Sequence, residues 1–169
     1  FNKIEHYYLF ILQIIIIIMT QYSNNDAKYV SLAVNEAEKS SLRAKTGCVA
    51  VVSGKVMARG YNTYRTFSKD GLIKQTCSCH AEIDVLRKIL KQNVRGKINL
   101  YIIRVTNNGD LGCSAPCIEC TETMKQFNIK TLTYVTNDGD PVKKNFHEYF
   151  TDYKSSGAMA ILHKRIKCI

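Results

Sequence analysis

The chain predicts an α/β domain, on three observations. Segments with apolar residues at helical spacing alternate with short runs rich in valine and isoleucine. Asparagine- and glycine-containing turns separate these segments, and the last two strand-like runs are joined through a helix. At 169 residues, 46% apolar, the chain is long enough to close one core and too apolar for a disordered segment.

The elements follow in order. Residues 1–18 form a hydrophobic leader, and the run 7–19 is apolar except at Gln13. It is shorter than the roughly 20 residues a membrane-spanning helix needs. No small-residue cleavage site follows in Gln21-Tyr22-Ser23-Asn24. The first methionine is Met19, so residues 1–18 are expected to lie outside the native protein and residues 19–169 to form one domain. Ala27, Val30, Ala33, Val34 and Ala37 predict a first helix over 26–39, with Asn24, Asn25 or Asp26 as its cap. Residues 48–53 and 55–61 flank Ser53-Gly54-Lys55 and predict an antiparallel hairpin.

Residues 63–79 are polar and irregular, with a turn at Asp70-Gly71; a loop this long is uncommon unless functional or disordered. His80 opens a second helix with Ile83, Leu86, Ile89 and Leu90 on one face and Gly96 beyond its end. Residues 98–105 predict a third strand, followed by a turn at Asn107-Asn108-Gly109-Asp110. Ser114 is expected to cap a third helix with Pro116 near its start, running to Phe127, after which Asn128 takes a left-handed cap. Residues 131–136 predict a fourth strand, parallel to the third because a helix joins them. The turn Asn137-Asp138-Gly139-Asp140-Pro141 leads to a tail with helix expected at 146–153 and an apolar 158–162 readable as strand or helix.

The net charge of +10 admits anionic partners, but the lysines are scattered without a basic run, a pattern that reads as solubility more than as a binding face. Seven cysteines, an odd number, without a secretory signal point to a reducing, cytoplasmic compartment and metal-bound thiolates over a disulfide framework.

Chemistry concentrates in His80-Ala81-Glu82 and Pro116-Cys117-Ile118-Glu119-Cys120. One imidazole and two thiolates suit tetrahedral zinc with the fourth position left for water. Cys117 and Cys120 lie nearly one helical turn apart, so both sulfurs can face one point. Glu82 then reads as a proton carrier beside the metal. Two competing readings stay open: Cys77 and Cys79 with Cys117 and Cys120 as a closed structural zinc site, or a metal-free redox pair. Cys48, Cys113 and Cys168 are expected as ordinary buried or free thiols, and His6, His147 and His163 lie outside any ligand spacing.

Those two motifs, the 48–61 hairpin, Gly60-Tyr61-Asn62, and Asn128-Ile129-Lys130 leading into a strand resemble the zinc-dependent cytidine and deoxycytidylate deaminase superfamily over residues 27–135. The resemblance implies a three-layer α/β/α cytidine-deaminase-like fold around a mixed five-stranded sheet. It implies zinc on His80, Cys117 and Cys120, Glu82 as the catalytic acid and base, Asn62 on the sugar hydroxyl and the Ala81 backbone on the base carbonyl. His80 as first ligand and the run from Cys120 to Lys125 look most like deoxycytidylate deaminases. Ala115 and Glu119 differ from the transfer-RNA adenosine deaminases. Asn128 in place of the usual glycine and the tail from Pro141 depart from the deoxycytidylate pattern.

The expected activity is therefore hydrolysis of dCMP to dUMP and ammonia, with the phosphate near Arg65 or Lys69. A deaminase editing RNA or single-stranded DNA is the alternative; the charge favours it and the lack of clustered basic and aromatic residues opposes it. An inactive, zinc-stabilised binding protein is a third reading, opposed by the intact Glu82. A nucleotide substrate, no membrane partner and a homo-oligomer are expected.

Overall fold

The computed structural model describes residues 23–74 and 76–166, with Leu9, Leu12 and Ile16. The rest of the leader, His6 and Cys168 lie outside the described residues. The elements run α1 (Asn24–Ala37), β1 (Lys45–Val52), β2 (Lys55–Tyr61), α2 (Ala81–Lys91), β3 (Ile98–Val105), β4 (Leu111–Gly112), α3 (Ile118–Met124), β5 (Ile129–Val135), β6 (Pro141–Asn145), a 3-10 turn (Phe146–Glu148) and α4 (Ser156–Leu162). Among the described residues no helix is long and apolar enough to cross a membrane.

The strands form one mixed sheet in the order β2-β1-β3-β5-β6, with β4 attached to β3. The β3–β5 pair is parallel and the other pairs are antiparallel. The main path is the mixed five-stranded sheet expected, and the two-residue β4 adds a sixth strand at its side. Neither β4 nor β6 was anticipated, because β4 spans two residues and β6 is a lysine-bearing edge without an apolar pattern. The central strands are apolar on both faces because helices cover both. Val49, Val51, Tyr101 and Ile103 pack under Tyr29, Val30 and Ala33 of α1. Cys48, Ala50, Leu100 and Ile102 pack on the other side with Val85, Leu86 and Ile89 of α2 and Met124 of α3.

Helix α1 lies so close to β1 that a Cβ at Gly47 would overlap the Ala33 carbonyl oxygen and reach within 2.5 Å of the Ala37 nitrogen. The hairpin closes through Ser53 and Gly54, both at positive φ, as a two-residue turn requires.

Several local expectations change. Ser23 caps α1, its hydroxyl accepting from the Asp26 N–H at 3.3 Å, so Asn24, Asn25 and Asp26 fall inside the first turn. Leu90 is exposed and Val85 takes its place in the core. Asn128 is not left-handed; its carbonyl accepts from the Ile98 N–H at 2.8 Å. The tail is largely non-helical at 146–153, whereas Ser156–Leu162 is helix.

Loop 63–79 is organised. Thr63 and Cys79 exchange two backbone hydrogen bonds of 3.0 and 2.9 Å across its neck. Asp70 accepts from the Arg87 Nε at 2.7 Å, and Ile73 is buried.

Candidate metal centre and its surroundings

His80 is the cap residue of α2 and Cys117 that of α3. Neither side chain makes a capping hydrogen bond, which leaves imidazole and thiol available to face each other. The neck of the loop holds the residue before His80 in place. The turn before Cys117 is held from three directions. Ser114 donates its hydroxyl to the Ile102 carbonyl at 2.6 Å and accepts from the Val135 N–H at 2.9 Å, so it bridges β3 and β5 and does not cap α3. The Tyr149 hydroxyl donates to the Pro116 carbonyl at 2.7 Å, and the Ile118 N–H donates to the Tyr153 carbonyl at 2.8 Å. The tail thus clamps the start of α3, a contact for which the sequence carries no local signal.

These restraints bring His80, Cys117 and Cys120 together, with ligand atoms all within 4.8 Å of one another. The His80 Nδ1 lies 3.2 Å from the Cys120 Sγ and 3.4 Å from the Cys117 Sγ. Zinc bonds of about 2.0–2.1 Å to nitrogen and about 2.3 Å to sulfur, at tetrahedral angles, require a nitrogen–sulfur edge of about 3.6 Å. Both separations are close to that, and the donor types match, so the residues fit zinc. Cys77 and Cys79 do not join the cluster: the Cys79 Sγ sits 3.4 Å from the His80 carbonyl, and Cys77 packs against Gly157. The four-thiolate site is therefore not formed.

Protonation in the cluster is shared. A hydrogen bond from Cys120 brings the Cys117 thiol down to about 6 against the effect of burial, with His80 adding to the shift. Donating that bond, together with burial, raises Cys120 well above the ordinary thiol value. Burial disfavours the charged His80, but its bond to Cys117 and the charges of Glu82, Cys117 and Glu119 outweigh this and bring it up to about 9. A site that concentrates negative charge around one point suits a dication, which displaces such protons on binding.

Glu82 is buried in the first turn of α2, and its charge acts on His80 and Cys120. Among the described residues its carboxylate makes no hydrogen bond or ion pair to the protein. Ala81 is the first residue of α2, where backbone N–H groups have no acceptor within the helix. Asn62 is buried at the end of β2, and its amide is engaged by the strand beside it. Its Oδ1 accepts from the Thr46 N–H at 2.9 Å, and its Nδ2 donates to the Ala44 carbonyl.

A cleft of 710 Å³ between loop 63–79, α3 and α4 reaches His80 and Cys120; Glu82, Ala81 and Asn62 do not line it. Arg65 and Lys69 line a different depression, with Arg87 and Lys91, that none of the cluster residues touches. His147 and His163 are exposed and do not join the ligand cluster, and Cys48 is buried.

Sheet order, flanking helices and a nitrogen–sulfur donor set of one half-buried histidine and two buried cysteines define a zinc-binding α/β domain. Residues 23–136 match the cytidine and deoxycytidylate deaminase zinc-binding region, and the chain belongs to that family. It is similar to the deoxycytidylate deaminase of Schizosaccharomyces pombe (strain 972 / ATCC 24843), 28% identical over 130 residues covering 66% of this chain. The chain spans 37% of the length of that relative. Among solved structures it is similar to the cytidine deaminase of Burkholderia pseudomallei, with 21% identity, a TM-score of 0.52, and 72% of this chain and 92% of that one covered. It is also similar to the cytidine deaminase of Mycobacterium leprae, with 16% identity, a TM-score of 0.50, and 75% and 97% covered. These two share its fold.

Proposed function

We propose that this protein is a zinc-dependent hydrolytic deaminase of a cytosine nucleotide, converting dCMP to dUMP with release of ammonia. The juxtaposition of His80, Cys117 and Cys120 with the unpartnered, buried carboxylate of Glu82 carries this reading. The similarity to the Schizosaccharomyces pombe deoxycytidylate deaminase supports the choice of substrate.

His80, Cys117 and Cys120 hold the metal. Zinc bound there supplies a Lewis acid that makes water nucleophilic near neutral pH. Glu82 takes the first proton of the attacking water and places it on the ring nitrogen next to the amine-bearing carbon, then takes the second proton from the added hydroxyl and delivers it to the departing ammonia. The Ala81 N–H donates to the base carbonyl. Asn62 Nδ2 retains one N–H beyond its bond to Ala44 and presents it, rigidly held, to the sugar hydroxyl. The catalytic unit is residues 19–169, working in a cytoplasmic compartment where its metal-binding thiols stay reduced.

The test is ammonia release from zinc-loaded protein offered dCMP, CMP, cytidine, guanine, and tRNA or DNA oligonucleotides. Turnover of dCMP is expected. Glu82→Gln should keep zinc and fold while losing at least about 100-fold in turnover. Full activity in that variant removes Glu82 from the mechanism, and turnover confined to polymers overturns the substrate assignment.

A further inference from the structure

We propose that Arg104, with Thr106 beside it, forms the anion subsite that receives the substrate's phosphate, which makes the chain selective for a mononucleotide over a free nucleoside. The proposal rests on the deaminase reading above and deepens it. Arg104 follows Leu100 and Ile102 at alternate positions of β3, and both of those belong to the core beneath α2 and α3. Side chains two apart on a strand share a face, so Arg104 projects on the side of the sheet that carries the metal cluster. It stands at the carboxyl end of β3, beyond Tyr101–Thr133, where the parallel ladder with β5 stops. In open α/β sheets ligands enter at the carboxyl ends of parallel strands.

The guanidinium has no counterpart. Its Nε is sealed from solvent without an acceptor, and no carboxylate of the described residues pairs with Arg104. The side chain as a whole is half-buried, so one N–H of the cation is shut from water while its tip is not; such an unpaired donor is costly, and natural folds tolerate it mainly where a ligand completes the group. The hydroxyl of Thr106, two residues on and on the same face, is buried and unpartnered as well. Gly112 of β4 pairs with Arg104 across the sheet, and a Cβ there would lie 3.1 Å from the Thr106 Cγ2 and 3.6 Å from the Arg104 Cδ. Glycine at that position spares both side chains the crowding that a Cβ from the neighbouring strand would bring.

Tyr153 links the two places: its carbonyl accepts from the Ile118 N–H at 2.8 Å beside Cys117, and its phenol, raised by burial and by the Cys117 charge, is drawn the other way by Arg104. The cations expected from the sequence do not compete: Arg65 and Lys69 border a depression apart from the cluster. A phosphate monoester offers a dianion with several acceptor oxygens, which a guanidinium fork and an adjacent hydroxyl match.

The experiment compares kcat/KM for dCMP and deoxycytidine in zinc-loaded wild type, Arg104→Gln and Arg104→Lys. In parallel, calorimetry measures the binding of dUMP and deoxyuridine to the same proteins. In Arg104→Gln the preference for dCMP over deoxycytidine should fall roughly 10- to 100-fold, mainly through KM, as expected for one charge-assisted contact. Arg104→Lys should retain part of that preference. A preference unchanged in Arg104→Gln, even if both activities fall together, assigns Arg104 a structural role and overturns the proposal. If wild type turns over neither compound yet binds dUMP more tightly than deoxyuridine, and Arg104 is required for the difference, the deaminase reading falls and the subsite stands. Equal binding of dUMP and deoxyuridine by wild type overturns the subsite whether or not Arg104→Gln folds.

Discussion

Replacing Ser114 with alanine tests how the metal turn is held. The β3–β5 ladder ends at Tyr101–Thr133, and beyond it the Ser114 hydroxyl occupies the gap, donating to the Ile102 carbonyl and accepting from the Val135 N–H. Alanine keeps the backbone bond from the Ser114 N–H to the Val135 carbonyl at 2.9 Å but deletes both side-chain bonds. Each such bond contributes about 1 kcal/mol net, and a buried N–H left dry adds about 1–3 kcal/mol. The site is 6% exposed, so water has little access to repair the loss. Ser114→Ala should therefore cost about 3–5 kcal/mol, read as a lower urea midpoint at unchanged m-value. It should also weaken zinc retention against a chelator, because the bridge lies three residues before Cys117. A loss below about 0.5 kcal/mol, the usual range for a neutral surface change, would refute the bridging role.

Two further perturbations probe the frame. Gly47→Ala places a methyl group into the backbone of α1 at Ala33 and Ala37, so the helix must withdraw from the sheet; urea unfolding should show a loss of about 3 kcal/mol or more, and under 1 kcal/mol would contradict the close approach. Asp70 is partly buried, which raises its pKa, but bonds from Ser68, the Leu72 N–H and Arg87 outweigh this and hold it below its ordinary value. Its stabilisation is thus present at neutral pH and lost as pH falls below about 4 through the depressed pKa. Asp70→Asn should cost about 2–3 kcal/mol at neutral pH, and its gap to wild type should narrow as the pH falls below about 4; a constant gap would exclude the ionised carboxylate as the source.

Much of the architecture was legible because its signals are local. The hairpin followed from valine-rich runs around Ser53-Gly54, and α2 and β3 fell near their expected bounds. The donor types of the metal centre were legible for the same reason: a histidine and a Cys-x-x-Cys pair at helix starts are short-range patterns. Errors arose where two candidates competed for one backbone group. Ser114 looked like a helix cap, yet Cys117 takes that position and the serine serves the strands. Asn62, placed on the sugar hydroxyl by resemblance, has a further contact that no local pattern marks: its amide ties the end of β2 to the segment before β1. Tyr149, Tyr153 and Arg104 carried no periodicity that marked them, since their roles depend on segments brought next to them only in the fold.

By itself the sequence determined which side chains are able to grip a metal and carry a proton, and which segments are helix or strand, because residue chemistry and period are properties of neighbours in the chain. Only the tertiary structure decided that His80 and Cys117, 37 positions apart, stand 3.4 Å from each other, and that the Arg104 guanidinium is left without a partner. Both follow from the register of β3 against β5 and from the tail folded over α3. Such contacts form only when remote segments pair, and no short stretch of residues encodes them.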